Sequence, residues 1–347
     1  MDDHRFDPLD QLPEDLQNGL RVGCAYDEVG SRIQRQTGSE NTLAFDYDPL
    51  HKSCRWHNGR AGKIARIDMK QTKCVVMHSD HFEQYPGRKL EPIFYNRPFD
   101  SKLLAGVESA QLWAPPGVGI STIPEILSAM VNLHSLFASD EVDNAAWAKL
   151  SDGDLPESLE VLQISNDLRT LSWPKVILPN LKELVAMPSI KFDAASFPSL
   201  ESIHINPNKN LSNVLEALKL PIREMFLLSV PNGNKVFDVL ASEDIQTIGL
   251  LGGNSLVNLD GVEQLASLKS IKLKNLSKLV DIGALKGQSE LTSVNIQYCN
   301  KIENIEVLND LKKIERLIIV GSGTMGVDRL EPRLQRVLDR SLGPDAP

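Results

Sequence analysis

A step of 23 residues constrains this chain more than any other feature. Apolar residues stand at Ile245, Ile248 and Leu250, then at Leu268, Ile271 and Leu273. They recur at Leu291, Val294 and Ile296, and again at Ile314, Leu317 and Ile319. The tails of the repeats align in the same register: Leu256, Leu279, Ile302; Leu259, Ile282, Ile305; Val262, Leu285, Leu308. Six apolar columns at one period of this size mark a stacked solenoid, in which one repeat cannot bury its apolar face alone and neighbours share a core.

Upstream the pattern continues with uneven steps. Val107, Ala110 and Leu112 open a degraded copy, and Leu133, Leu136 and Ala138 a second. Then come Leu159, Leu162 and Ile164; Leu181, Leu184 and Ala186; Leu200, Ile203 and Ile205; Ile222, Met225 and Leu227. That makes about ten repeats over residues 103–326. Each L-x-x-L-x-L element reads as a short strand, and the step leaves room on the return side only for turns, 3-10 pieces or brief helices. Leu330, Leu334, Leu338 and Leu342 change the period to four, the spacing of one helix face, so residues 327–347 read as a capping helix followed by a tail.

These residues resemble the leucine-rich repeat family, in its short class of 22–23 residues per repeat. The resemblance implies an α/β solenoid with a parallel β-sheet on the concave face, and a concave face that binds other proteins. The family places Asn or Cys at the ninth repeat position. Here that column reads Asp167, Ser189, Asn208, Val230, Gly253, Leu276, Cys299 and Ser322, so only Asn208 and Cys299 match. Cys299 is therefore expected to be a structural turn residue.

Residues 1–102 read as a small β-rich or α+β unit, separate from the solenoid or serving as its N-terminal cap. Leu9, Leu12, Leu16 and Leu20 share one helix face. Thr42–Tyr47, Lys63–Met69 and Lys73–His78 are short β-rich runs, and Asn58-Gly59 is a hairpin-turn signal. Cys54 and His57, with Cys74, His78 and His81, form a loose zinc-like spacing. The competing reading is a Cys74 packed inward with solvent-facing histidines, and no cofactor is expected.

Composition narrows the function classes. No apolar run reaches the length of a membrane span, and the acidic N-terminus lacks the apolar core of a secretory signal. Four scattered cysteines give no disulfide framework, so a cytoplasmic protein is expected. Residues 107–160 carry nine acidic residues against the single basic Lys149, within a chain of net charge −9. Nucleic acid is disfavoured as a partner. The acidic segment is either a solvated face or a dock for a basic partner, as in an immunity or inhibitor protein neutralising a toxin. No phosphate loop or nucleophile motif appears: Gly321–Gly326 lacks the lysine, and no G-x-S-x-G occurs. Any enzymatic or metal-dependent module would have to lie in the first hundred residues, and no enzyme activity is expected.

Strand alternation assigns the third, fifth and seventh repeat positions to the concave surface. Val185, Met187, Phe226, Leu228 and Leu251 then cluster near its middle with His204, and Lys272 and Lys274 flank them. An apolar cluster on a face that is otherwise polar marks an interaction site. The alternatives are a covering segment, or a register slip that exchanges the inward and outward sets.

Overall fold

The computed structural model describes residues 23–26, 32–36, 42–48, 53–57, 74–86, 90–98, 101–166, 170–231, 233–240, 244–322 and 326–340. The chain divides into two compact units, Met1–Ile64 with Asp339–Pro347, and Ala65–Leu338.

In the first unit, strands β1 (Gly23–Tyr26), β2 (Arg32–Gln36), β3 (Thr42–Asp48) and β4 (Ser53–His57) form an antiparallel sheet in sequential order. The β-rich run beginning at Thr42 is thus a strand. The leucine-spaced helix at residues 1–20, the run Lys63–Met69 and the Asn58-Gly59 turn lie outside the described residues.

The second unit is built on one long sheet. Its strands are β5 (Cys74–Met77), β6 (Glu91–Phe94), β7 (Ser109–Leu112), β8 (Ser135–Ala138) and β9 (Val161–Ile164). They continue with β11 (Glu183–Ala186), β13 (Ser202–Ile205), β14 (Glu224–Leu227), β15 (Thr247–Gly253), β16 (Ser270–Leu276), β17 (Ser293–Gln297) and β18 (Arg316–Val320). The order is β19-β18-β17-β16-β15-β14-β13-β11-β9-β8-β7-β5-β6, with β19 the two residues Leu338–Asp339. A separate parallel pair, β10 (Thr170–Ser172) with β12 (Ser189–Lys191), sits on the return side of two early repeats.

The strands pair in the register that the 23-residue step demands. Ile248 faces Ile271, Ile271 faces Val294, and Val294 faces Leu317. Column after column is fully buried: Leu136, Leu162, Leu184, Ile203, Met225, Ile248, Ile271, Val294 and Leu317 are all at 0% exposure. The return side is short, as the step requires. It is made of 3-10 turns such as Val262–Gln264, Gly283–Gly287 and Ile305–Asp310, and of helices no longer than six residues, including α2 (Asn144–Ala148) and α3 (Ser212–Ala217). Their buried Val262, Leu285 and Leu308 complete the core.

Side chains tie one turn to the next where the backbone cannot. Asn304 Oδ1 accepts the Ile282 N–H at 3.0 Å while its amide donates to Asp281 at 2.6 Å. Gln288 donates to the Val262 carbonyl at 2.7 Å, and Asn132, Ser158 and Asn180 each reach a carbonyl one repeat back. Such bonds satisfy carbonyl groups that a turn leaves without a ladder partner.

The exit from each regular strand uses a left-handed residue. Gly252, Asn275, Tyr298 and Gly321 have φ of 96°, 56°, 54° and 57°, again one per 23 residues. At Gly321 a side chain is excluded twice over, since a Cβ there would lie 2.2 Å from Tyr298 Cε1.

The ends of the sheet depart from the sequence reading. The parallel sheet starts at Cys74, upstream of the residue 103 at which the repeat was expected to begin, so Cys74–Met77, within the expected β-rich run, is a strand of the solenoid sheet. From β5 the chain moves outward to β6 and then returns past β5 to β7. Right-handed crossovers put these two connections on opposite faces. The β5–β6 connection lies on the concave side, where Tyr85 packs with Val75, Met77 and Trp113. The return passes α1 (Ser101–Leu104), whose Leu104 joins the main core with Cys74 and Val76. Tyr95 N–H donates to Met77 O at 3.1 Å, so Pro92 faces the open edge and gives it no donor there.

At the other end, the expected capping helix is shorter than its leucine spacing suggested. It runs only from Pro332 to Val337 (α4), with Leu334 buried at 0% exposure. Pro332 can start a helix because it sits at N1. Leu338 turns extended (φ −74°, ψ 119°) and joins the sheet as β19. Leu342 lies outside the described residues.

Candidate protein-binding face

The concave surface is a set of columns running across the strands. The fifth repeat position gives Val75, Gln111, Phe137, Gln163, Val185, His204, Phe226, Gly249, Lys272, Asn295 and Ile318 in continuous register. The seventh position follows two residues on, and Leu251, Lys274 and Gln297 pair within it.

All eight residues anticipated for the binding patch fall on these two columns, between β11 and β16. Five of them are buried: Val185 (2% exposed), His204 (1%), Phe226 (6%), Leu251 (9%) and Lys272 (6%). Met187, Leu228 and Lys274 are half-buried. The patch is thus a packed ladder, with its accessible members on the seventh column. Side chains in one column stand about 4.8 Å apart, close enough to bury one another.

The centre of the ladder is a specific packing. The His204 imidazole stacks on the Phe226 ring at a centroid distance of 4.2 Å and an interplanar angle of 20°. Phe226 in turn lies over Gly249, where a Cβ would come 2.2 Å from its Cδ1. Gly249 is what lets the ring lie flat against the sheet. Burial, with Lys272 adding a like charge, pushes the His204 pKa down to about 3, so the ring is neutral. Its Nδ1 is buried with no hydrogen-bond partner. Sequence reading placed Phe226 and His204 in the patch but passed over Gly249; a glycine beside an aromatic in one column is the signal for it.

Alongside the third column, a cavity of about 390 Å³ is lined by Lys182, Glu183, Glu201, Ser202, Arg223, Glu224, Gln246 and Thr247. Lys182 pairs with Glu160, the last residue of the acidic segment, at 2.8 Å on the exposed surface between neighbouring repeats.

Cys74 and Cys299 are free and buried. Cys74 faces the core, its thiol 3.8 Å from Ser109 O, and burial with nearby Glu91 pushes its pKa up to about 12. His78 instead caps a 3-10 turn, its Nδ1 accepting the Asp80 N–H at 3.3 Å. Cys54 and His57 belong to β4 of the other unit. Among the described residues, no three His, Cys, Asp or Glu side chains converge as a metal site. Cys299 is a turn residue: its thiol lies 3.3 Å from Gln297 O, its N–H donates to Ser322 Oγ at 3.0 Å, and burial raises its pKa to about 12. Asn208, the other residue that matches the family pattern, accepts the N–H of Ser212, the first residue of α3, at 2.8 Å.

Eleven parallel strands in one register, inward columns of Leu, Ile and Val, and short returns at a step that settles at 23 residues give this chain the fold of a leucine-rich repeat solenoid. Solved structures of that fold are similar to it. Internalin C2 from Listeria monocytogenes is 17% identical over 64% of this chain and 84% of its own, with a TM-score of 0.33. A Leptospira interrogans leucine-rich repeat protein is 15% identical over 72% of this chain and 64% of its own, with a TM-score of 0.41. TLR13, in a complex with a single-stranded RNA, is 18% identical over 62% of this chain and 35% of its own, with a TM-score of 0.32. No protein-family model and no curated protein matches the chain. Among the described residues, no helix is long and apolar enough to cross a membrane.

Proposed function

We propose that this chain is a non-enzymatic protein-interaction module that binds a protein partner on the concave face of its repeats. The observation that carries the reading is the ladder itself: Val185, His204, Phe226 and Leu251 form an apolar floor, and Met187, Leu228 and Lys274 stand half-exposed beside it. Interface centres favour such aromatic and Met-bearing patches flanked by charge. A nucleic-acid partner fits less well, because Glu183 and Glu224 line the adjoining column and the whole chain carries a net charge of −9. The sparse cysteines, with Cys74 and Cys299 free, favour a reducing compartment such as the cytoplasm.

The test is affinity capture from native lysate with the wild type beside Leu228→Asp, read by mass spectrometry. Leu228 is the better probe because it is half-buried, whereas a charge at Phe226 would enter a packed site. A partner held by the wild type and lost by the folded Leu228→Asp protein supports the reading. A partner held equally by both removes it.

A further inference from the structure

The β5–β6 connection shows how a segment sits on this face. Tyr85 lays its ring against Trp113 at a centroid distance of 4.9 Å and 66°, and its hydroxyl donates to Gln111 Oε1 at 3.1 Å. Together with Val75 and Met77 they form a small cluster separate from the main core. The chain's own connection therefore already occupies the first strands of the concave surface with an aromatic ring and a phenol-to-glutamine hydrogen bond.

The same chemistry continues, unoccupied by this cluster, on the next two strands. Phe137 on β8 and Gln163 on β9 are paired in the fifth column and are both half-buried. In the seventh column those strands carry only Ser139 and Ser165, between the bulky Trp113 and Met187. The two large side chains are three strand spacings apart, roughly 14 Å, with two serines between them. Ser139 is 7% exposed, and its Oγ is buried with no hydrogen-bond partner. Gln163 makes one long contact, Nε2 to Ser165 Oγ at 3.4 Å, leaving its carbonyl oxygen available as an acceptor.

We propose that this gap is a tyrosine slot, in which a protein partner inserts a tyrosine from a loop or extended segment. The ring packs between Trp113 and Met187 and against Phe137, over the two serines. The phenol donates to the Gln163 carbonyl, as Tyr85 donates to Gln111. The occupant is argued by continuity with the intramolecular contact beside it, and by the small-residue floor sized for one planar ring. A phenylalanine would fill the space but leave the amide oxygen unpaired, which is how a buried polar group discriminates. The proposal rests on the concave face being the binding face and specifies one side chain of the partner.

The test is selection of displayed random linear peptides on the full-length chain, followed by titration of the selected peptides. Selected sequences are expected to share a tyrosine. Its replacement by phenylalanine should weaken binding about tenfold, and Gln163→Leu should produce the same loss. Ser165→Leu, which fills the floor from a half-exposed position, should abolish binding while leaving the thermal unfolding midpoint in place. Peptides that survive all these changes but are lost on Leu228→Asp would overturn the slot and leave the concave-face reading standing. Peptides insensitive to Leu228→Asp as well would overturn both. A selection that yields no tyrosine-dependent binder overturns the slot, and the peptide-side change keeps the test valid if a protein variant misfolds.

Discussion

Gly249→Ala should destabilise this protein only because Phe226 lies opposite. The new Cβ would sit 2.2 Å from Phe226 Cδ1, 2.8 Å from Cε1 and 3.1 Å from Cγ. Carbon atoms in contact prefer roughly 3.5–4.0 Å, so the ring must move by more than about 1 Å. Overpacking of this kind costs about 1–3 kcal/mol. Loss of the His204 stack adds ~0.5–1.5 kcal/mol. Alanine returns about 0.5–1 kcal/mol by restricting the unfolded chain, and the Gly249 backbone is not left-handed. The net expectation is a loss of roughly 1–3 kcal/mol. In a Phe226→Ala background the obstruction is gone, so the same substitution should be neutral or stabilising. The assay is urea unfolding followed by circular dichroism, with both midpoint and slope compared, and the four proteins form a double-mutant cycle. Equal destabilisation by Gly249→Ala in both backgrounds would refute the packing argument.

Further outcomes follow from the same geometry. The His204 pKa is lowered from 6.5 to about 3, so between those values the unfolded chain binds a proton that the folded chain does not. Stability should therefore be full above pH 6.5 and fall as pH drops toward 3, by up to about 1.4 kcal/mol per unit; His204→Phe should flatten the portion between pH 6.5 and 5, and an unchanged slope would contradict the assignment. Gly321→Ala should cost about 1–3 kcal/mol from the clash of its Cβ with Tyr298 and a further ~1 kcal/mol from its left-handed backbone, and Tyr298→Ala should relieve only the clash in the same denaturation assay. With Cys24 and Cys54 replaced by serine, a thiol reagent at pH 8 should label Cys74 and Cys299 only after unfolding, because burial raises both pKa values to about 12; rapid labelling of the native protein would contradict their burial.

The sequence carried the fold wherever one column repeated at one step. Leu268, Ile271 and Leu273 predict the next repeat because every copy faces the same core, and the pairing of Ile271 with Val294 follows directly. The reversal at β5 and β6 left no such trace. Cys74–Met77 looks like any short apolar strand, and nothing local says that its neighbour β6 lies outside it and β7 inside. The terminal leucines misled for a related reason: spacing of four was real, but Pro332 set where the helix could begin and Leu338 was needed by the sheet. The residues of the candidate patch were legible as a set, because alternation fixes which way they face. Their burial was not, because it depends on what stands opposite in strands some 22 residues away. His204, Phe226 and Gly249 gain their meaning only when β13, β14 and β15 are laid side by side.

The central claim is that a protein partner lies on the concave columns. Site-specific photo-crosslinking tests it most directly, with p-benzoylphenylalanine placed at position 228 on the seventh column or, as the comparison, at position 215 on the return-side helix α3, where Leu215 is 45% exposed. In native lysate, position 228 should yield a discrete crosslinked species that position 215 does not. Crosslinking from position 215 with none from position 228 would contradict the account and move the interface to the opposite side of the repeats.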